Sequence, residues 1–389
     1  MRSISSALAL ALAASGALAQ SYVITRVTTI GQYDQAWGLD GAGNVAGVTI
    51  TEPHNRFLGF IGAGVINAPA GDSQAVVFGV TPDGRAIASS YSLGEFNEHA
   101  LLFANGQTTT IGAFAPRGIA ADGTIVGSRD VTYGPGWHAR HACVLQSGML
   151  LDLPTLGGQN AQAIAVSEVG RIVGFSYTAT GLRPRAVTWS GGVITDLGVL
   201  GGTSAQALGI AGNYVVGVSD VTGGWHPFRY TLNAAGQVVT RSDLGSLGTG
   251  STNYGLAYAV TESGDVVGMS ADHAFLWHNG VMTDLNNVVV NGQDWDLRAA
   301  SAINAAGQIA GWGTYHGNPA AFVLSAAPMC DPDLNQDGNV DQGDTDYLIN
   351  VVAGGDNPTN IDPDFNHDGN VDQADIDALV NVVAGGTCP

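Results

Sequence analysis

The sequence AYAVTESGDVVGMS, from Ala257 to Ser270, decides the fold together with two short runs that follow it, HAFLW at His273–Trp277 and VMTDL at Val281–Leu285. Two apolar segments flank the polar turn TESGD, which is typical of a β-hairpin. Each of the following runs is long enough for one further strand. The stretch therefore predicts four short antiparallel strands in succession.

The first hairpin of this unit recurs along the chain. Its copies begin at Ala36, Val76, Pro116, Ala163, Ala207, Ala257 and Ala300, a period of roughly forty to fifty residues. Four strands per repeat is typical of a β-propeller blade, whereas a stacked solenoid of this period would usually contain helices. We expect a mainly β fold over residues 20–327, a propeller of seven four-stranded blades.

The chain ends predict how the ring closes. The last copy has no fourth strand, because AAFVL at Ala320–Leu324 is soon followed by Pro328. A matching run, YVITRVTTIG at Tyr22–Gly31, precedes the first copy. We expect this N-terminal strand to complete the last blade and to remove the open sheet edge.

The units resemble the HAF repeats of bacterial extracellular proteins, named for the His-Ala-Phe found here at His273–Phe275. The resemblance covers almost the whole propeller region. It implies an extracellular location and a repeat architecture, and it carries no agreed activity.

The C-terminal region contains one twelve-residue pattern twice, DLNQDGNVDQGD at Asp333–Asp344 and DFNHDGNVDQAD at Asp364–Asp375. An EF-hand-like calcium loop takes oxygen ligands from positions 1, 3, 5, 7, 9 and 12 and has glycine at position 6. Both copies fit. They predict two Ca²⁺ ions, one held by Asp333, Asn335, Asp337, Asn339, Asp341 and Asp344, the other by Asp364, Asn366, Asp368, Asn370, Asp372 and Asp375.

Proline and glycine before each loop disfavour an entering helix, whereas an amphipathic run ending in glycine follows each loop. This tandem pattern resembles a type I dockerin over residues 328–389. The resemblance implies a cohesin-like receptor or cell-surface scaffold as partner, recognised at loop positions 10 and 11, here Gln342, Gly343, Gln373 and Ala374. Well-known clostridial dockerins have small hydroxyl residues there, so a different receptor is expected, and the similar halves imply two binding orientations.

The N-terminus and the cysteines indicate export. Residues 1–19 have an arginine, an apolar run and an Ala-Leu-Ala end, which predicts a signal peptide cleaved before Gln20. In an oxidising compartment Cys330 and Cys388, which bracket the calcium loops, are predicted to form a disulfide bond. Cys143 is expected to be a buried, unreactive thiol.

Charge excludes two classes of partner. The formal net charge is -20 and all 13 basic residues are arginine. Nucleic acid and anionic membrane surfaces both require a basic patch, so neither is expected to bind. After the signal peptide no apolar run is long enough to span a membrane.

Two polar sets recur from blade to blade. Carboxylates precede leucine in the fourth-strand run, and we interpret them as turn or strand-end caps: Asp152, Asp196, Asp243 and Asp284. A second set precedes the third strand: His99, His141, Arg185, His226 and His273. These side chains either hydrogen-bond between blades or form a ring of donors at one mouth of the channel.

The segments between the second and third strands vary most and should crowd one rim of the disc. Their aromatic and basic residues have the composition of a sugar-stacking surface, namely Tyr133, Trp137, Arg140, Arg183, Trp225 and Tyr315. They could equally cap their own loops.

These features favour a secreted, calcium-dependent, surface-docked protein whose propeller binds an extracellular polysaccharide or protein without catalysis. Two alternatives remain open. One is a dockerin-borne glycoside hydrolase or polysaccharide lyase in polysaccharide catabolism, which rests on association alone. The other is a structural surface protein or adhesin.

Overall fold

The computed structural model describes residues 21–27, 33–51, 56–62, 64–92, 98–134, 137–290, 292–327, 332–359, 361–366 and 368–386, without the side chains of residues 132–138. The described chain forms two compact units, one ending at Ala326 and the other beginning at Ala327. The signal peptide predicted at residues 1–19, Cys330 and Cys388 lie outside the described residues.

The first unit is a seven-bladed β-propeller, as the sequence predicts. Blades 1 to 3 each pair four strands in chain order: β2 (Tyr33–Leu39), β3 (Val45–Thr51), β4 (Arg56–Ile61) and β5 (Gly64–Ile66); β6 (Gln74–Val80), β7 (Ala86–Tyr91), β8 (His99–Ala104) and β9 (Gln107–Gly112); β10 (Ala115–Ile119), β11 (Ile125–Gly134), β12 (Trp137–Gln146) and β13 (Met149–Asp152).

Blades 4 to 6 repeat this order: β14 (Gly157–Val166), β15 (Ile172–Thr178), β16 (Pro184–Ser190) and β17 (Val193–Gly198); β18 (Ala205–Ala211), β19 (Tyr214–Val221), β20 (Gly224–Leu232) and β21 (Val238–Asp243); β22 (Gly255–Val260), β23 (Val266–Ser270), β24 (His273–His278) and β25 (Val281–Asp284). Two short 3₁₀ turns, Gly250–Thr252 and Leu285–Asn287, flank blade 6.

Blade 7 is closed by the N-terminal strand. Its own strands are β27 (Trp295–Ile303), β28 (Ile309–Tyr315) and β29 (Asn318–Ala326), and β1 (Tyr22–Val27) pairs antiparallel to β29 from Tyr22↔Ala326 to Val27↔Ala321. The predicted closure is thus confirmed. A fifth strand that the sequence did not predict, β26 (Val289–Val290), pairs parallel to β1 and covers its outer edge.

The hydrophobic core lies between neighbouring blades. One cluster joins Val126 and Ala142 of blade 3 to Ala163 and Trp189 of blade 4. Small residues at these positions let adjacent sheets approach closely. A buried serine in the second strand adds a tie, since Ser219 Oγ accepts the N–H of the preceding linker's Leu200 at 3.0 Å, as Ser176 does from Leu156 and Ser270 from Leu247.

Glycine in the second strand allows the first strand to bulge. Gly217 of β19 pairs with Ala207 of β18, where the register shifts. A Cβ added at Gly217 would lie 2.0 Å from the carbonyl oxygen of Gln206. Gly47, Gly127, Gly174, Gly268 and Gly311 occupy equally tight positions in five other blades. The glycines of the repeat therefore mark a close backbone approach.

The C-terminal unit contains two equal helices, α1 (Gln342–Val352) and α2 (Gln373–Val383). Each begins with a capping box in which an aspartate at the N-cap and an aspartate at N3 bond reciprocally. Leu334, Leu348, Phe365 and Leu379 form its small core. Within the described residues, neither these helices nor any other is long and apolar enough to cross a membrane.

Candidate functional site

The first strand of every blade carries a β-bulge at the same place. In blade 1 the pairing shifts between Ala36 and Gly38, and the residue skipped is Trp37. A bulge re-aims the side chain of the extra residue. The skipped residues line a central cavity of about 360 Å³, and we call them the channel ring: Trp37, Phe78, Arg117, Ile164, Leu208, Tyr258 and Ser301.

The chemistry of the channel ring differs from blade to blade. The guanidinium of Arg117 lies 4.0 Å from the centre of the Phe78 ring, a cation–π contact. Burial in the channel lowers the pKa of Arg117, and burial raises the pKa of the Tyr258 hydroxyl. Trp37 Nε1 is buried and has no hydrogen-bond partner within the described part of the chain. The ring thus offers donors and apolar surface and no carboxylate.

One mouth of the channel is acidic. A cavity of about 580 Å³ continues from the ring between the turns that join the first and second strands. Its lining includes Glu168 and Glu262, and both are exposed. A ligand entering here would pass two carboxylates before it reached the ring.

The two repeated polar sets contact each other inside blades 3 to 6. His226 Nδ1 lies 2.9 Å from Asp243 and His273 Nδ1 lies 2.5 Å from Asp284. Arg185 contacts Asp196 at 3.1 Å, and in blade 3 Arg129 takes Asp152 through two 2.6 Å bonds while His141 stands 3.8 Å away. His99 pairs instead with Asp72 at 2.8 Å.

Hydrogen bonding between blades is seen for His226, whose Nε2 lies 2.9 Å from Oδ1 of Asn253 in the linker to blade 6, whereas the ring at a channel mouth was wrong. The pairs of Arg185, His226 and His273 join the third strand to the fourth within one blade, and the innermost strands line the channel. The capping role of the carboxylates is confirmed, because Asp196 accepts the N–H of Gly198 and Asp243 that of Gly245, both at 2.8 Å. The repeated pairs stabilise blade edges.

The rim residues lie at equivalent hairpins, between the second and third strands of blades 3, 4, 5 and 7. Arg140 is held by Glu98 and Asp130, each at 3.2 Å. Arg183 is exposed and Trp225 is 39% exposed. Tyr315 packs against Trp295 with ring centres 5.0 Å apart. The side chains of Tyr133 and Trp137 are not among those described.

A pocket on this rim was missed by the sequence analysis. It lies beside the hairpins of blades 7 and 1, has a volume of about 340 Å³ and is lined by Tyr33, Phe57, Arg298 and Trp312 among others. Its residues come from the first and last blades and meet only because β1 closes the ring, so sequence proximity gave no signal.

The two expected calcium loops have the same internal bonding. The carboxylate of Asp333 accepts the N–H groups of Asp337 and Gly338 at 3.1 and 3.0 Å. In the second loop Asp364 does the same for Asp368 and Gly369 at 3.1 and 2.9 Å. Backbone donors thus fix the carboxylate at position 1 of each loop.

Position 12 of each loop is a buried carboxylate. Asp344 accepts from Asn335 N at 3.1 Å and Asp341 N at 2.9 Å, and its side chain is 0% exposed. Asp375, also 0% exposed, repeats these bonds. No lysine or arginine occurs after Arg298 in the sequence, so no side-chain guanidinium or ammonium of this unit can offset these charges.

The described residues contain no cluster of three or more His, Cys, Asp or Glu side chains able to hold a metal. The set expected in each loop is of another kind, because it includes an asparagine amide oxygen at position 3 and a main-chain oxygen at position 7. The donor chemistry fits a hard cation such as Ca²⁺.

The expected partner-binding positions lie at the start of the helices. Gln342, Gln373 and Ala374 are exposed and Gly343 is half-buried. The two glutamines bond along their own helices, Gln342 to Asp346 at 3.0 Å and Gln373 to Asp377 at 2.9 Å. Apolar residues are exposed in matching pairs of the two halves, Val340 with Val371 and Ile349 with Val380.

No protein-family model matches the chain, and no curated protein matches it. Among solved structures, the chain is similar to the extracellular domain of BT4673 from B. thetaiotaomicron (13% identity, TM-score 0.46, 82% of this chain and 42% of that one). It is also similar to the β-propeller domain of the Trilobed protease from Pyrococcus furiosus (10%, 0.42, 67% and 97%) and to puromycin hydrolase (14%, 0.49, 77% and 53%).

The chain spans less than half the length of the extracellular domain of BT4673 and about half that of puromycin hydrolase. Likenesses at this level carry nothing about function. The seven-bladed fold of this chain stands on its own strand pairing.

Proposed function

We propose that this is an extracellular, calcium-dependent binding protein. Its C-terminal unit docks onto a cohesin-like receptor, and its propeller binds an extracellular polysaccharide or protein without catalysis. The observation that carries the proposal is the duplicated loop and helix, with the same hydrogen bonds in both copies and a fully buried carboxylate in each.

Bound calcium would explain the buried carboxylates of the C-terminal unit. A buried carboxylate without a cation costs several kcal/mol, and each loop has one at position 12, Asp344 or Asp375. Calcium bound there would supply positive charge and cross-link the two ends of each loop. Asp333 and Asp364 at position 1 are held by backbone N–H groups.

The receptor would contact the start of the two helices. Exposed Gln342 and Gln373 provide amides there, and the exposed pairs Val340 with Val371 and Ile349 with Val380 provide apolar area. Because both halves offer the same groups, the receptor could engage either half. This surface lacks basic residues, so it suits a partner that buries amide and aliphatic groups.

The propeller's polymer-binding surface is assigned to the rim. The pocket at the junction of blades 7 and 1 combines Tyr33, Phe57 and Trp312 with Arg298, the mixture of flat apolar faces and hydrogen-bond donors that sugar rings require. Nearby Tyr315 stacks on Trp295 and lies under Arg26 at 5.3 Å.

The docking test uses the full mature chain and a panel of immobilised cohesins. We expect retention in calcium that is abolished by chelator and by the double variant Asp337→Ala, Asp368→Ala. The control Asp356→Ala removes an exposed carboxylate outside both loops and should be retained like the wild type. Retention of the double variant would show that the partner recognises a feature other than a calcium-ordered loop.

The propeller test incubates the same protein with purified polysaccharides and scores both retention and release of reducing or unsaturated sugar ends. Retention without release, lost in Trp312→Ala, supports the proposal. Release of sugar ends would make the protein a glycoside hydrolase or lyase and would overturn the non-catalytic assignment. Neither retention nor release, for any polymer, would move the assignment to protein ligands or a structural role.

A further inference from the structure

The central channel has the properties of a second, separate ligand site. Its walls are made by the channel ring, one bulged residue from each blade, and its volume of about 360 Å³ lies within the range of small-molecule pockets, about 300–1,000 Å³. Neither the docking unit nor the rim uses it.

Side-chain hydrogen-bond donors line the channel. Arg117 has five N–H donors, stacks on Phe78 at 4.0 Å and makes no hydrogen bond or ion pair within the described chain, although the charge of Glu98 acts on it. Among the described residues, Trp37 Nε1–H is buried without an acceptor. Tyr258 adds a hydroxyl. Hydrogen-bond donors without acceptors in a low-dielectric site favour a ligand that has acceptor oxygens.

The charges in and near the channel limit the charge that a ligand can carry. None of the ring residues is a carboxylate. Burial lowers the pKa of Arg117, and the negative charge of Glu98 only partly opposes this shift, so burying the cation is costly. A bound anion would offset the cost. The exposed Glu168 and Glu262 at one mouth would repel a ligand with several negative charges, so a single charge is favoured.

Part of the ring is aliphatic. Ile164 of blade 4, next to Arg117 of blade 3, and Leu208 of blade 5 present aliphatic side chains to the channel. An anionic group at Arg117 would therefore have its body against hydrocarbon, which selects an amphiphilic molecule over an inorganic ion.

We propose that the channel binds a small organic monoanion, a carboxylate on a compact aromatic or aliphatic body. Arg117 and the indole N–H of Trp37 take the carboxylate, while Ile164 and Leu208 contact the body. This site is independent of the docking surface and of polymer binding on the rim.

The probe is phenylacetate, compared with its neutral amide, phenylacetamide, and with the dianion phenylmalonate, which share the same ring. Calorimetry on the full mature protein should give saturable binding of phenylacetate, at least tenfold tighter than of either comparison compound. Absence of saturable phenylacetate binding, or equal affinity for the amide, would overturn the proposal.

Arg117→Met removes the charge and keeps an unbranched side chain, and it should weaken phenylacetate binding at least tenfold. Arg56→Met, at an exposed arginine of β4, is the matched control and should bind like the wild type. Equal loss in both variants would refute a role for Arg117. A second variant, Leu208→Trp, fills the channel without touching the charge, so it must also abolish binding, whether or not Arg117→Met folds.

Discussion

Replacing Gly217 by alanine tests whether the bulges of the inner strands depend on the glycines opposite them. The new Cβ would lie 2.0 Å from the carbonyl oxygen of Gln206 and 2.9 Å from the Cα of Ala207. Contacts below about 3 Å do not persist, so β18 and β19 must separate by about 1 Å. Blade 2 has Ala88 opposite the residue before its bulge, which shows that the pairing can widen where neighbouring contacts allow it.

Imposing this widening on blade 5 should cost about 2 kcal/mol, the middle of the range for overpacking. With about 2.1 cal/mol/K per residue over about 300 residues, the unfolding entropy is near 0.63 kcal/mol/K, so Tm should fall by about 3 °C. Thermal unfolding followed by far-UV circular dichroism measures this.

Gly201→Ala is the matched control in the linker before the same blade. No atom lies within 4 Å of its added Cβ, and its backbone is not left-handed, so its Tm should stay within about 1 °C of the wild type. If Gly217→Ala melts with this control, the close approach does not constrain the blade. The account of the repeat's glycines would then be wrong.

Three further outcomes follow from the fold. A mature chain beginning at Tyr33 lacks β1 and should lose more than about 3 kcal/mol, because buried Tyr22 is removed and β29 becomes an open edge; unchanged melting and elution on size exclusion would contradict closure. Burial raises the pKa of Cys143 to about 12, so iodoacetamide at pH 8 should label its peptide in urea and not in the native protein; native labelling would show an accessible thiol. The hydrogen bond from Arg129 lowers the pKa of the Asp152 carboxyl, so this pair stabilises the fold above the unfolded pKa of about 3.9 and stops doing so as pH falls through the lower folded value. Arg129→Met should therefore reduce Tm at neutral pH and converge with the wild type near pH 2, and a gap that persists at pH 2 would contradict the linkage.

The blades and their closure were predictable because both depend on local patterns. Each hairpin has apolar alternation around a polar turn, and the missing fourth strand after Ala320–Leu324 had its match at Tyr22–Gly31. Strand β26 was not predictable, since Val289–Val290 is only two residues long and its parallel pairing to β1 arises from closure.

The polar pairs could have been predicted from the same patterns. His273 begins the third strand of its blade and Asp284 ends the fourth, and antiparallel neighbours place such positions side by side. Treating the histidines and aspartates as two independent sets hid this. The repeat alone does not give this pairing, because it also depends on the register between the third and fourth strands.

The channel ring was hidden for a different reason. Its residue directly follows the first residue of the hairpin motif in six copies and comes one position later in the copy at Val76. There the sequence shows Trp37, Phe78, Arg117, Tyr258 and others with no shared chemistry. Period-two alternation assigns side chains to faces, but a bulge shifts that assignment by one. Only the pairing shows that these dissimilar residues face one cavity.

Comparison between the blades distinguishes positions that repeat, and stabilise the fold, from positions that differ. Positions that repeat have a structural role, since the second-strand glycines clear space for the bulge and Asp243 and its counterparts cap the fourth strand. Seven blades impose the same backbone at the ring, yet its side chains differ in charge, size and polarity. Side chains of sufficient volume would fill the channel, and a cationic side chain is not needed for that. Arg117 is therefore the ring residue on which the proposal of a channel ligand rests.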